Sequence, residues 1–270
     1  MAAKRMDLNA RTLLVLSGSS NPLGETLAQE LCSRLAVGSV ALILDESQKR
    51  LESLEQHLKE HLQPDAVQII TGLLDERHSN GVQLLDQVLC QSEGYGFERS
   101  ILVHNEGDSA THMLMEPQTA EAWTDYVQHQ LYAPVALNQR WLNSAALQGI
   151  EKLAINVTSS LQVRPLVYST LLCSCKRARD MYFRSMASEE ARANVHVLSY
   201  APGLFKTHET QCDVNGNFVA PEELLVMSDQ EQPELPRVQP LQSTLKLINI
   251  LEETAFVSGH DVDYYDTFFL

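Results

Sequence analysis

Hydrophobic residues along the chain fall into two alternating patterns. The first is a short, nearly continuous apolar run: TLLVL (12–16), VALIL (40–44), VQIIT (67–71), SILVH (100–104), LAINVT (153–158) and VHVLSY (195–200). Runs with no polar face suit strands covered on both sides, as in a parallel sheet. The second is helical spacing, over about 22–36, 47–62, 80–91, 119–147, 166–188 and 239–252. Strands and helices that alternate through short connections predict an α/β fold with a doubly wound parallel sheet and helices on both faces. The rhythm breaks between Gly203 and Pro240, where DVNGN and DQEQPELPRVQP read as irregular chain. Such an insertion is expected to be a lid or binding loop, or else a disordered acidic loop.

Composition narrows the partners. A length of 270 residues suits one domain, 1–270, with a core that needs neither disulfides nor metal. Twenty basic against 35 acidic residues give a net charge of −15, spread along the chain. That charge repels phosphodiesters and anionic lipids, so neither nucleic acid nor a membrane is an expected partner. Five cysteines, an odd number without a secretory leader, predict reduced thiols and a cytoplasmic protein. Cys173 and Cys175 would face opposite sides of a helix, and the nine histidines lack ligand spacing, so no metal is expected.

Candidate chemistry begins where the first strand runs into SGSSNPLG, Ser17 to Gly24, and then a helix. A strand, a glycine turn and a helix N-terminus form a cradle for a dinucleotide pyrophosphate, through free N–H groups and the positive end of the helix dipole. A plain strand-to-helix turn uses the same glycines. Pro22 suits the first helical position, with Asn21 or Ser20 as cap, but it lacks an N–H and adds a ring where a phosphate approaches. At the end of the second strand, Asp45 and Glu46 stand where such folds place the acid that binds an adenosine ribose. They disfavour a 2′-phosphate and so favour NAD over NADP, unless Lys49 and Arg50 compensate. A solvated helix start with acids at its positive end gives the same pattern.

The turn resembles the Thr-Gly-x-x-x-Gly-x-Gly motif of the short-chain dehydrogenase/reductase superfamily, with Ser17 for the threonine and Pro22 for the middle glycine. GSVALILDESQKRLESLEQHL, CKRARDMYF, VHVLSYAPG and SGHDVDYYD resemble the sepiapterin reductase family within it, and the likeness runs from Thr12 to Asp266. The resemblance implies a Rossmann-type fold, a cytosolic homodimer, and NADPH-dependent reduction of a pterin side-chain ketone in tetrahydrobiopterin biosynthesis. It implies cofactor contacts at Gly18, Ser20, Asn21, Leu23, Gly24, Asp45, Glu46, Asn105, Lys176, Pro202 and Thr207. Substrate contacts are implied at Thr158, Ser159, Gly203 and Asp263, whose carboxylate suits the amino and ring N–H groups of a pterin.

In that family a tyrosine donates the proton, a lysine four residues later binds the nicotinamide ribose and lowers the tyrosine pKa, and a serine holds the ketone oxygen. Lys176 and Ser159 match the lysine and serine, whereas the tyrosine position is Leu172. Tyr168, one turn earlier, is the alternative donor, although helical geometry leans its side chain away from Lys176. Other positions depart as well. His104-Asn105-Glu106-Gly107 replaces Asn-Asn-Ala-Gly, which puts Glu106 beside the cofactor; Gln130 falls near a relay asparagine, and Leu73 replaces an adenine-contacting aspartate. Two readings remain: a nicotinamide-dependent oxidoreductase with weak or lost turnover, and a non-catalytic pseudoenzyme that binds a pterin or acts as a dimerisation partner. The partner is a second copy through helices 119–147 and 166–188, or an active relative in a heterodimer.

Overall fold

Six strands form where the apolar runs predict them: β1 (Thr12–Ser17), β2 (Ser39–Asp45), β3 (Val67–Leu73), β4 (Arg99–His104), β5 (Glu151–Val157) and β6 (Val195–Ala201). The computed structural model describes residues 3–19, 21–63, 66–92, 94–106, 119–159, 170–190, 194–205, 211–212, 218–219 and 236–266. A seventh strand, β7 (His260–Asp263), extends the sheet beyond β6. The order is β7-β6-β5-β4-β1-β2-β3 and every neighbouring pair is parallel. Side chains of β1 and β2 are buried throughout, as the absence of a polar face requires.

The helices are α1 (Pro22–Cys32), α2 (Gln48–His61), α3 (Gly81–Gln91), α4 (Ala120–Val127), α5 (Ala133–Leu142), α6 (Thr170–Glu189) and α7 (Pro240–Asn249). Two cores lie on opposite faces of the sheet. One gathers Leu27 and Leu31 of α1, Leu54 and Leu58 of α2, and Leu247 and Ile248 of α7. The other gathers Leu85 and Leu89 of α3, Trp141 of α5, and Phe183 and Met186 of α6. Trp141 stays fully buried because its indole N–H donates to Ser100 Oγ at 2.7 Å.

The helix expected over 119–147 is interrupted. A π turn, Gln128–Tyr132, separates α4 from α5. Pro134 supplies the cause, since it has no N–H to give the carbonyl of Gln130 four residues back. Arg179 Nη1 donates to that carbonyl instead, at 3.4 Å. The segment from Gly203 to Pro240 lies largely outside the described residues. Its described parts include a two-residue antiparallel pair, Gln211–Cys212 with Phe218–Val219.

Candidate active site

The strand order reverses direction between β1 and β4, and the crevice outside their carboxyl ends is where doubly wound sheets hold ligands. Here Gly18 follows β1, and Asn105 and Glu106 follow β4. Gly18 has φ +74°, and a Cβ there would lie 2.6 Å from the backbone carbon of Asn105. A Cβ on Gly24 would lie 2.4 Å from the oxygen of Gly18. Only glycine permits either approach.

Asn21 caps α1 by accepting from the Gly24 N–H at 2.8 Å. Asn105 Nδ2 locks the turn from behind, donating to Gly18 O at 2.7 Å and to Asn21 Oδ1 at 3.1 Å. Leu23 turns its side chain into the core. The sequence-level assignment of Asn105 and Leu23 as cofactor contacts therefore acquires a further role, in which both side chains build the turn.

Beneath the turn lies a buried charge cluster. Glu106 is 8% exposed and pairs through Oε2 with Arg179 Nη2 at 3.1 Å, while Oε1 accepts from the Ser17 hydroxyl. Burial pushes the Glu106 carboxyl upward, but Arg179, His104 and Ser17 together outweigh it and hold the group well below the usual carboxylate range. Arg179 is 1% exposed and also donates to Asn156 Oδ1 at 2.9 Å and His104 O at 3.2 Å. Lys176, on the same helix, donates through Nζ to Glu106 O at 2.9 Å and Val157 O at 3.2 Å. Burial, with the neighbouring Arg179 cation, lowers its pKa to about 7, and Glu106 opposes the shift.

Ser159 lies just past Val157 and is partly buried, and Thr158 beside it is buried. Leu172 sits on α6 one turn before Lys176 and is partly buried. Three residues assigned from the sequence, Ser20, Tyr168 and Thr207, lie outside the described residues.

A cleft of about 530 Å³ opens from the turn toward the end of β2, within the range usual for small-molecule sites. Gly18, Asn21, Asp45, Glu46, Glu106 and Gln130 line it. Asp45 accepts from the Ser47 N–H at 3.1 Å and from Ser19 Oγ at 3.5 Å. Glu46 pairs with His78, whose ring stacks on that of His129 with centroids 4.7 Å apart. Sequence reasoning missed both histidines, because only the tertiary fold brings the loop after β3 to the π turn. Leu73, at the position of the adenine-contacting aspartate, is 44% exposed, and the buried Leu74 beside it lines the cleft.

At the other end, Pro202 O accepts from Ser243 Oγ at 2.8 Å, and Gly203 adopts φ +86° with Tyr264 against it. Asp263 Oδ1 accepts from the Tyr265 N–H at 3.0 Å. Tyr265 in turn holds the Leu204 N–H at 3.0 Å. Among the described residues no cluster of side chains could hold a metal ion, and no helix is long and apolar enough to cross a membrane.

The glycine turn at the switch point, with Asn105 behind it and a lysine of α6 reaching the end of β5, defines a dinucleotide-type oxidoreductase scaffold. The short chain dehydrogenase family model matches residues 12–215, and the chain belongs to that family. Within it, the chain is sepiapterin reductase-like. It is 29% identical to sepiapterin reductase of Xenopus laevis over 98% of this chain and 100% of that protein. It is 31% identical to the Mus musculus enzyme over 93% and 96%. Among solved structures, L-sorbose reductase from Gluconobacter frateurii complexed with NADPH and L-sorbose matches with TM-score 0.74 and 22% identity over 96% of this chain and 97% of that one. An NADPH-bound short chain oxidoreductase from Pseudomonas aeruginosa containing an atypical catalytic center matches with TM-score 0.72 and 18% identity, over 96% of each chain.

The family and these neighbours support a nicotinamide cofactor. The residues present fit one. The two glycines keep the turn flat, and the cleft has room for a nucleoside beside Asp45. In this turn Pro22 offers no N–H, and Asn21 takes that of Gly24.

Proposed function

We propose that this protein is a cytoplasmic carbonyl reductase of the sepiapterin reductase type, acting on a pterin side-chain ketone with slow turnover. The observation that carries the reading is Lys176 donating to the carbonyls of Glu106 and Val157, the latter two residues before Ser159 in the chain. When bound, the nicotinamide supplies the hydride. Ser159 orients the substrate carbonyl by donating a hydrogen bond to its oxygen, Lys176 holds the ribose side of the cofactor, and Asp263 faces the pterin ring. Slow turnover follows from Leu172, since a positioned general acid is worth about 10²–10⁴-fold in rate. NADH is the preferred coenzyme, because two acids, Asp45 and Glu46, border the nucleoside end of the cleft against one base, Arg50.

The same Leu172, together with the Glu106 carboxylate in the cleft, favours a second reading: a protein that holds its ligand without turnover. The oligomer proposed for either is a homodimer through α4, α5 and α6, where Tyr132 and Met181 are exposed, or a heterodimer with an active relative. Leu172→Tyr, assayed with sepiapterin and with NADH and NADPH in turn, separates the two. A gain of about 10²-fold or more supports the reductase. No turnover by either form removes it, and tighter binding of NADPH than of NADH reverses the coenzyme assignment.

A further inference from the structure

Between β3 and α3 the chain makes a loop built around one carboxylate. Asp75 Oδ1 accepts from the N–H groups of Arg77 at 3.1 Å and Ser79 at 2.7 Å, and Oδ2 accepts from the Ser79 hydroxyl at 2.5 Å. Asn80 closes the loop, accepting from the Asp75 N–H at 3.0 Å and donating to Leu73 O at 2.9 Å. Side chains that bond nearby backbone in this way hold a turn in shape. Within it His78 takes φ +54°, a left-handed backbone uncommon outside glycine and maintained only where the surroundings enforce it.

That conformation brings three elements together at one ring. His78 Nε2 donates to Glu46 at the end of β2, and the ring lies on that of His129 in the π turn at an interplanar angle of 17°. His129 Nε2 donates to Glu76 O, and Asp125 of α4 pairs with Arg77 at 3.2 Å, so the loop is braced from behind. The His78 side chain is accordingly 10% exposed, while that of Glu46 is 56% exposed. Arg50, four residues on, also lines the cleft, yet Glu46 pairs with His78 instead.

The two acids at this corner differ in what they have left to offer. Asp45 is buried, with Oδ1 on the Ser47 N–H and Oδ2 on the Ser19 hydroxyl. Glu46 spends Oε1 on His78, and no hydrogen bond among the described residues engages Oε2. A half-exposed glutamate without a fixed partner spreads over many rotamers, and a fixed one presents its charge in one place.

We propose that His78 is a positioning residue that sets coenzyme choice: it holds the Glu46 carboxylate at the cleft wall, where Oε2 accepts from a ribose 2′-hydroxyl and repels a 2′-phosphate. The inference rests on the reading that the cleft takes a nicotinamide dinucleotide. Without the ring, Glu46 keeps its charge and loses its place, and a 2′-phosphate meets Arg50 with no carboxylate held beside it.

The test is equilibrium binding to the full-length protein, read from the fluorescence of NADH and of NADPH in separate titrations, so that no turnover is needed. Wild type is expected to bind NADH about tenfold or more the tighter, the order of effect of two like charges close together at a protein surface. Glu46→Gln changes an exposed side chain and should bring the two dissociation constants to within about threefold. His78→Asn keeps a residue that tolerates a left-handed backbone but is too short to reach Glu46, and should do the same with Glu46 intact. The double variant should move the ratio no further than either single one.

A purely structural role for His78 weakens both coenzymes equally and leaves the ratio unmoved, and loss of a cation alone widens the preference for NADH. Either result overturns the proposal, as does tighter binding of NADPH by the wild type. Binding of neither coenzyme to the wild type defeats the reading of the cleft itself, and the proposal with it.

Discussion

Replacing Arg179 by methionine tests the charge cluster most directly, because it keeps an apolar stem and removes the cation that Glu106 depends on. Breaking one side of a buried ion pair costs about 3–5 kcal/mol, since the remaining charge is stranded. The carbonyl groups of Asn156, His104 and Gln130 also lose their donor, which pushes the cost toward the upper end. At about 2–4 °C per kcal/mol, melting should fall by roughly 6–20 °C.

The pH dependence gives a sharper signature. In the wild type the folded-state pKa of Glu106 is depressed, so its contribution is present above the ordinary carboxylate value and is lost as pH falls below it. Without Arg179, burial raises the carboxyl, and the stability of the variant grows as pH falls through that raised value. The deficit measured by urea unfolding should therefore shrink between pH 8 and pH 5, and Glu106→Gln in the same chain should recover part of it. A deficit below about 1 kcal/mol at pH 8, or one that is the same at both pH values, would refute this account of the cluster.

Two further outcomes follow from the same geometry. Gly18→Ala places a Cβ 2.6–2.8 Å from backbone atoms of Asn105 and Glu106 at φ +74°, so a loss of at least about 2 kcal/mol is expected in urea unfolding; a loss under about 0.5 would contradict it. Asp261 is raised to about 6 by burial and by the adjacent Asp180, so the folded state holds a proton that the unfolded chain has released, and wild-type stability falls as pH rises from about 4 to 6. Asp261→Asn cannot ionise, and the wild-type-minus-variant difference should decline over that window. A difference that stays constant from pH 4 to 7 rules out the shared proton.

The sheet was legible because burial on both faces leaves no polar face along a strand, and β1 and β2 show it in the unbroken apolar runs between their polar ends. β7 was not, since HDVD carries two acids and a single buried valine at the edge of the sheet, where alternation and charge are tolerated. The glycine turn could be read from spacing, and Lys176 was picked out by the family resemblance. The pairing of Glu106 with Arg179 could not, because 73 positions of sequence separate residues that only the fold of β4 against α6 brings together. Pro134 was a visible signal for the π turn, but its meaning depends on Arg179 taking the carbonyl it leaves open.

Residues 3–6 are fastened to the segment that leads into the last strand of the sheet. Ala3 and Lys4 pair antiparallel with Val257 and Phe256, and the Met6 N–H donates to Leu251 O at 2.8 Å. The strand that completes the sheet, β7, follows within a few residues. During synthesis, therefore, residues 3–6 wait for residues 251–257, and the ribosome must release the whole stretch between them before this seam can close. A nascent chain stalled before Leu251 would hold six strands of parallel sheet with an open edge at β6, which marks this stage as the one at which a chaperone has most to protect.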